Sequence, residues 1–175
     1  MNALEGVSTR TTRAAVVHAA PQFLNMQATL TKIRVKTASA VDDGAKLVVF
    51  GKSFIPGFPI SNMVQAPIDQ HQFYKRLFEN AETVPGATVS QLAELSAKHN
   101  IILSVGVTEK AQTSTGSMWN SNLIFGPNGS LISHRRKLIA TWAETLPGRL
   151  VMQQAWMLCR RALAGRSVDM WGELQ

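Results

Sequence analysis

The chain has 175 residues, of which 45% are hydrophobic and 17% charged, with 18 basic and 11 acidic side chains and one cysteine. This length and apolar content suit one folded domain and exclude a disordered chain. A single cysteine excludes an internal disulfide framework and a cysteine-rich zinc site, so we predict a reducing, cytoplasmic location. The sequence has no apolar run of about 18 residues, so no membrane contact is expected. Residues 1–12 are polar, which predicts a flexible N-terminus without a signal peptide.

The net charge of +7 is spread along the chain. Residues 1–145 carry 14 basic and 9 acidic side chains, and residues 146–175 carry 4 and 2. The one dense basic run, His134–Lys137, has neither stacked aromatic residues beside it nor a nucleic-acid-binding motif. We therefore predict no nucleic-acid partner and interpret this run as a solvated face or the edge of an active site.

Strand and helix patterns alternate in the first part of the chain. Ala14–Val17 is a short apolar run, which predicts a strand buried on both faces. Met26–Val41 places apolar residues near helical spacing and is followed by Gly44, a residue typical of helix ends. Leu47–Phe50 predicts a second buried strand.

The pattern continues with two helices, a strand and a hairpin. The helices are predicted at Gln70–Asn80 and Val89–His99, and the strand at Ile101–Val107. The hairpin is predicted at Asn122–Ser133, with its turn at Pro127-Asn128-Gly129. This order of elements is typical of a layered α/β architecture.

The carboxyl ends of strands in such a sheet open onto a shared crevice, where ligands bind. Two predicted loops lead there. The first is Leu47–Pro59, which reads LVVFGKSFIPGFP, and the second is Ser133–Glu144, which reads SHRRKLIATWAE.

Five segments then identify a family by their order and spacing: AAVVHAAPQFLN, GAKLVVF with SFIPGFP, FENAETVPG, IILSVGVTE, and the hairpin with HRRKL and TWAE. From about Arg13 to Glu144 the chain resembles the nitrilase branch of the carbon-nitrogen hydrolase superfamily. The resemblance implies an α/β fold, the N-terminal half of a four-layer α-β-β-α sandwich, here incomplete. It assigns residues 13–145 to a partial hydrolase domain and implies that intact members form homo-oligomers.

The resemblance also implies a reaction. A cysteine thiolate attacks the carbon of a small-molecule nitrile, a lysine stabilises the charge on nitrogen, and a glutamate shuttles protons. The products are a carboxylic acid and ammonia, and neither a metal nor an organic cofactor is implied. The segment Phe54–Pro59 favours nitriles over amides or cyanide as the substrate class.

The family roles transfer to this chain with one departure. Lys137 matches the catalytic lysine, and Glu144 matches a second glutamate that supports the lysine or the substrate. Lys52 occupies the position of the catalytic glutamate, directly after the second strand. An ammonium group has no lone pair, so Lys52 cannot accept a proton unless its pKa falls by several units.

The nucleophile is a second departure. The only thiol is Cys159, between Leu158 and Arg160, and it lacks the preceding strand and the following turn that the family uses. We interpret Cys159 as an ordinary cysteine and predict that this copy is inactive. The alternative is a non-catalytic α/β protein that holds an anionic ligand between Lys52 and Lys137 or serves as an interaction partner.

Residues 146–175 have a composition of their own, with three of the seven methionines and two of the four tryptophans. Methionine and tryptophan have one codon each. Read one base along, the codons of Met170 and Trp171 encode Cys-Gly, the start of the family's nucleophile motif. We therefore hypothesise that this segment is a non-family tail translated out of frame.

Overall fold

The computed structural model describes residues 11–60, 69, 71–113 and 117–137. Within these ranges the elements follow in the order β1 (Ala14–Val17), α1 (Met26–Asp42), β2 (Leu47–Phe50), α2 (His71–Asn80), α3 (Ala87–His99), β3 (Ile102–Lys110), β4 (Met118–Phe125) and β5 (Leu131–Arg136). Every predicted helix and strand in the described ranges is present, which confirms the α/β class.

The five strands form one sheet in the order β1-β2-β3-β4-β5. The first three strands run parallel, and β3, β4 and β5 pair antiparallel. Parallel neighbours need a crossover connection, which α1 supplies between β1 and β2, and α2 with α3 between β2 and β3. The carboxyl ends of the parallel strands therefore share one edge.

Two helices cover one face of this sheet. Leu30 and Ile33 of α1 pack in one buried cluster with Leu92 and Leu95 of α3, and the strands contribute Val48, Phe50, Leu103, Val105, Leu123 and Phe125. Full burial of such a side chain stabilises the fold by about 1.5–3 kcal/mol. β2 is buried at all four positions, as its continuous apolar run predicts.

The prediction for β1 is wrong in one respect. Its bounds are confirmed, but its residues are only exposed or half-buried, and Val16 is 60% exposed. β1 lies at the edge of the sheet, and β2 is its one partner in the described part of the chain. An apolar run predicts a strand, but it does not distinguish a central position from an edge.

The ends of α1 and α3 follow local signals. Asn25 caps α1 by accepting a hydrogen bond from the Ala28 N–H at 3.0 Å, and Gly44 beyond its end has a φ of +85°. α3 begins directly after Gly86 and ends at His99, and the next residue, Asn100, adopts the left-handed conformation. None of the helices in the described ranges is long and apolar enough to cross a bilayer.

The hairpin turn at residues 127–129 is confirmed: Gly126 N–H donates to the Ser130 carbonyl at 2.8 Å, and Gly129 has a φ of +80°. The two strands are longer than predicted, because β4 begins at Met118 and β5 continues through Arg136. The basic residues of β5 look like a solvated run in the sequence, so the sequence pattern does not predict that the strand continues through them. Their pairing with β4 carries the sheet up to Lys137.

We expect Leu103→Ala to lower the free energy of unfolding by about 2–5 kcal/mol, because this fully buried side chain lies at the centre of the sheet and its loss leaves a cavity. The matched control is Leu131→Ala on β5, whose side chain is 40% exposed and whose truncation should cost about 0.5 kcal/mol. Urea unfolding measures both, and equal losses would contradict this account of the core.

Candidate active site

The loop after β2 carries Lys52 and packs closely on β3. A Cβ added to Gly106 would lie 2.5 Å from the Gly51 carbonyl oxygen and 2.7 Å from the Lys52 Cα. Only glycine at position 106 therefore lets the loop approach this near. Beyond the loop, Ile55 N–H donates to the Gly106 carbonyl at 3.2 Å and Thr108 N–H donates to the Ile55 carbonyl at 2.7 Å. These contacts fix the backbone of Lys52 against the sheet.

The Lys52 side chain is half-buried and lies near a second cation. Its Nζ is 5.3 Å from the centroid of the Phe58 ring. Burial lowers the pKa of Lys52, and the positive charge of Lys137 lowers it further. The structure therefore brings these two predicted site residues close enough for their charges to interact.

Asn120 of β4 joins the segments that carry the two lysines. Its side-chain Nδ2 donates to Ser53 Oγ at 2.7 Å, and its backbone carbonyl accepts from Lys137 N–H at 2.8 Å. Lys137 follows the last residue of β5 directly. Asn120 therefore bridges the β2 loop and the end of β5.

A small cavity of about 160 Å³ opens beside this junction. It has polar groups from Ser53, Thr108 and Asn120 and apolar walls, and its lining residues are Ser53, Pro59, Tyr74, Leu77, Thr108, Met118, Trp119 and Asn120. A larger cavity of about 300 Å³ lies along β1, and neither cavity is lined by Lys52 or Lys137. The smaller cavity suits an apolar group on a ligand.

β3 carries a buried carboxylate, Glu109, that the sequence analysis did not predict as a functional residue. It contacts side chains of β5, the strand that ends directly before Lys137. Glu109 is 1% exposed. Its Oε2 accepts from Ser121 Oγ at 2.5 Å and contacts His134 Nε2 at 2.7 Å. Its Oε1 accepts from Arg136 Nε at 3.1 Å and Nη2 at 2.6 Å. One sequence signal could have indicated these partners: side chains alternate along a strand, so His134 and Arg136 of β5 lie on the same face of the sheet.

Two opposing effects set the charge of Glu109. Burial raises its pKa, but hydrogen bonds from Arg136, Ser121 and His134 outweigh burial, and the net pKa is lowered. Because the pKa of Glu109 is lower in the folded state, its ionised form stabilises the fold at pH values above the pKa of an unfolded glutamate, which is about 4.3. This stabilisation is lost as the pH falls through the pKa of the folded state. Glu109 is therefore ionised at neutral pH.

Other predicted site residues have no description in the structure. Glu144, Cys159 and the tail at residues 146–175 lie outside the described residues. Across the described part of the chain, no group of three or more histidine, cysteine, aspartate or glutamate side chains is placed to hold a metal ion. The described site thus consists of two lysines, their hydrogen-bonded supports and an adjoining cavity.

We expect Lys137→Met to raise the pKa of Lys52, because removing a neighbouring positive charge favours the charged amine. The pKa stays below the ordinary lysine value, since burial still lowers it. Amine-labelling rates measured against pH by peptide mass spectrometry give the value for each lysine. Lys98→Met, which removes a cation from the end of α3, should leave Lys52 unchanged. An unchanged Lys52 in Lys137→Met would contradict the proximity of the two residues.

Comparison with known proteins identifies the family. The family model described as carbon-nitrogen hydrolase matches residues 13–157, which extends past the predicted domain boundary at residue 145. A nitrilase of Paraburkholderia phymatum is 31% identical over 78% of this chain and 39% of its own length. An aliphatic nitrilase of Rhodococcus rhodochrous is 33% identical over 78% of this chain and 37% of its own length. The chain thus spans about two fifths of these curated relatives.

The fold agrees with a solved structure. An amidase from Nesterenkonia sp. superposes with a TM-score of 0.55 at 18% identity, over 79% of this chain and 48% of that chain. This likeness shows that the five-stranded sheet and its helices share the fold of the matched part of that amidase. From these matches, the chain belongs to the carbon-nitrogen hydrolase family, in its nitrilase branch.

Proposed function

We propose that this chain derives from a hydrolase that converts an organic nitrile to a carboxylic acid and ammonia, and that this copy does not catalyse the reaction. The observation that carries the proposal is the position of Lys52, in the loop directly after β2, where burial and the positive charge of Lys137 lower its pKa. The resemblance implies a glutamate there. A site that needs one carboxylate and one cation has two cations instead.

The role of Lys137 follows from elementary electrostatics. When a thiolate adds to a nitrile carbon, negative charge develops on the nitrogen, and an ammonium group fixed beside it stabilises that charge without reorganisation. Lys137 is held by its backbone bond to Asn120, at the end of a paired strand. A strand end is a more rigid platform than a long loop, which suits this task.

Lys52 cannot take over the proton transfers of a glutamate. A carboxylate accepts a proton from the thiol or from water and returns it to the departing ammonia. Burial and the positive charge of Lys137 lower the pKa of Lys52, and a lower pKa makes the neutral amine a weaker base toward the thiol or water. Its charged form repels the positive charge of Lys137 and offers no lone pair.

A second candidate function, retention of an anion, has its own support in the same pair of lysines. Two like charges in a half-buried site repel each other, and a carboxylate bound between them would relieve that repulsion. The adjoining cavity offers room for the apolar part of such a ligand. The protein would then be a non-catalytic binding module.

The domain bounds, the substrate, the cellular location and the oligomeric state remain predictions. We propose residues 13–145 as the partial hydrolase domain and residues 146–175 as the out-of-frame tail, which sequencing of the gene tests directly. A nitrile as the substrate and a homo-oligomer in the intact protein are proposed by family likeness, and a cytoplasmic location is proposed from the single cysteine. Glu144 is proposed to support Lys137.

We expect no ammonia release above the protein-free background when the purified, sequence-verified chain is incubated with aliphatic or aromatic nitriles. Lys52→Glu alone should remain inactive, because the thiol still lacks its family context. Lys52→Glu combined with the shifted-frame continuation in place of residues 146–175 should release ammonia. Ammonia release by the unaltered chain would contradict the proposed inactivity.

The anion candidate predicts that the unaltered chain binds benzoate, that Lys137→Ala abolishes this binding, and that Lys98→Ala does not. Isothermal titration calorimetry measures all three. Benzoate is chosen because its carboxylate suits the two lysines and its ring suits the cavity. Equal binding by the chain and by Lys137→Ala would exclude this candidate.

A further inference from the structure

The carboxylate of Glu109 connects three strands at the end of the sheet nearest Lys137. Glu109 lies on β3, Ser121 on β4 and Arg136 on β5. In the ladder, Ser121 is paired with Arg136, and Glu109 is paired with Trp119. The carboxylate therefore reaches past β4 and binds a strand that β3 does not itself contact. Backbone hydrogen bonds join only neighbouring strands of a sheet, so none can connect β3 directly with β5.

The strand that receives this contact is mostly exposed. Five of the six residues of β5 are exposed, with Ser133 the buried one. Within the described ranges β4 is its sole strand partner. Exposed edge strands open more readily than central strands, since few buried contacts oppose their opening. Side-chain contacts at the end of β5 therefore decide how firmly that end is fixed.

The guanidinium of Arg136 is held on two sides. Two of its nitrogens donate to Glu109 Oε1, an arrangement that fixes orientation as well as distance. Its central carbon lies 4.0 Å from the centroid of the Trp119 ring, which closes the other side. The contact with Glu109 also raises the pKa of Arg136. Arg136 is thus held by both an ion pair and a ring contact.

The backbone of Arg136 continues into Lys137. Side chains alternate along a strand, so Arg136 and Lys137 project to opposite faces. The contact with Glu109 therefore fixes the strand from one face, and the lysine is presented on the other. Among the described residues, the Lys137 N–H bond to Asn120 extends this ladder one residue beyond β5.

A buried carboxylate is not explained by stability alone. Replacing a buried ion pair with apolar side chains is often neutral or stabilising, whereas the fixed geometry of such a pair has no apolar equivalent. Glu109 places both of its oxygens on polar partners. Such complete pairing favours a role in setting the position of what the cluster holds.

We infer that Glu109 is a positioning residue, which fixes the end of β5 through Arg136 and His134 and so holds Lys137 beside the loop of Lys52. The inference rests on the proposed function in one respect: Lys137 is taken as the lysine of the site. The inference adds to the proposed function a residue, Glu109, that acts by positioning Lys137 and does not itself contact the substrate.

The test uses Lys52 as a reporter of where Lys137 lies. Glu109→Gln keeps the shape of the side chain but removes its charge and one acceptor oxygen. If Lys137 moves away from Lys52, the repulsion falls and the pKa of Lys52 rises. If the cluster acted only through its charge, loss of a negative charge would lower the pKa of Lys52. The two explanations therefore predict shifts of opposite sign.

We expect amine labelling of the full chain to show an upward pKa shift of Lys52 in Glu109→Gln, toward the value in Lys137→Met. Lys32, which donates to the Ala20 carbonyl far along the chain, serves as the internal reference and should not shift. Glu94→Gln, which removes the same charge from an exposed position on α3, should leave Lys52 unchanged. An unchanged or lowered Lys52 pKa in Glu109→Gln overturns the inference.

A milder variant covers the case in which Glu109→Gln does not fold. Arg136→Lys keeps the positive charge but loses the paired donation to one oxygen, and it should raise the pKa of Lys52 by a smaller amount. No rise in that variant overturns the inference equally. If Lys137→Met also leaves Lys52 unchanged, the proposed site itself fails. If Lys137→Met shifts Lys52 but the Glu109 and Arg136 variants do not, only the positioning role fails.

Discussion

The candidate site depends on one residue of the central hairpin. The side-chain amide of Asn120 donates a hydrogen bond to Ser53 in the loop after β2, and its backbone carbonyl accepts one from the N–H of Lys137, directly after β5. Those two segments are far apart in sequence, and Asn120 makes a hydrogen bond to each of them. The distance between the two lysines is therefore a consequence of sheet geometry.

This geometry has a chemical consequence. A sheet edge that holds a carboxylate beside an ammonium can move protons and stabilise negative charge in the same reaction. The family resemblance implies a carboxylate where this chain has Lys52, so this edge carries two lysines. We propose that this one position separates the fold of the chain from the reaction of the family.

Much of the fold could be predicted from the sequence, because its signals are local. The strand at Leu47–Phe50 and the helix from Met26 follow from apolar runs, helical spacing and a glycine stop. The exposure of β1 could not be predicted, since edge position depends on the order of strands. Glu109 was missed because a carboxylate in an apolar strand gives no sign of its partners on β5 until the register is known. Lys52 stood out only through the family resemblance.

The most direct measurement is a short amine-to-amine cross-link between Lys52 and Lys137. A reagent with a glutarate spacer, applied to the native chain and followed by peptide mass spectrometry, reports whether the two amines share one site. The account predicts a Lys52–Lys137 cross-link that disappears on denaturation. Single-ended adducts on both lysines without any cross-link between them would contradict it.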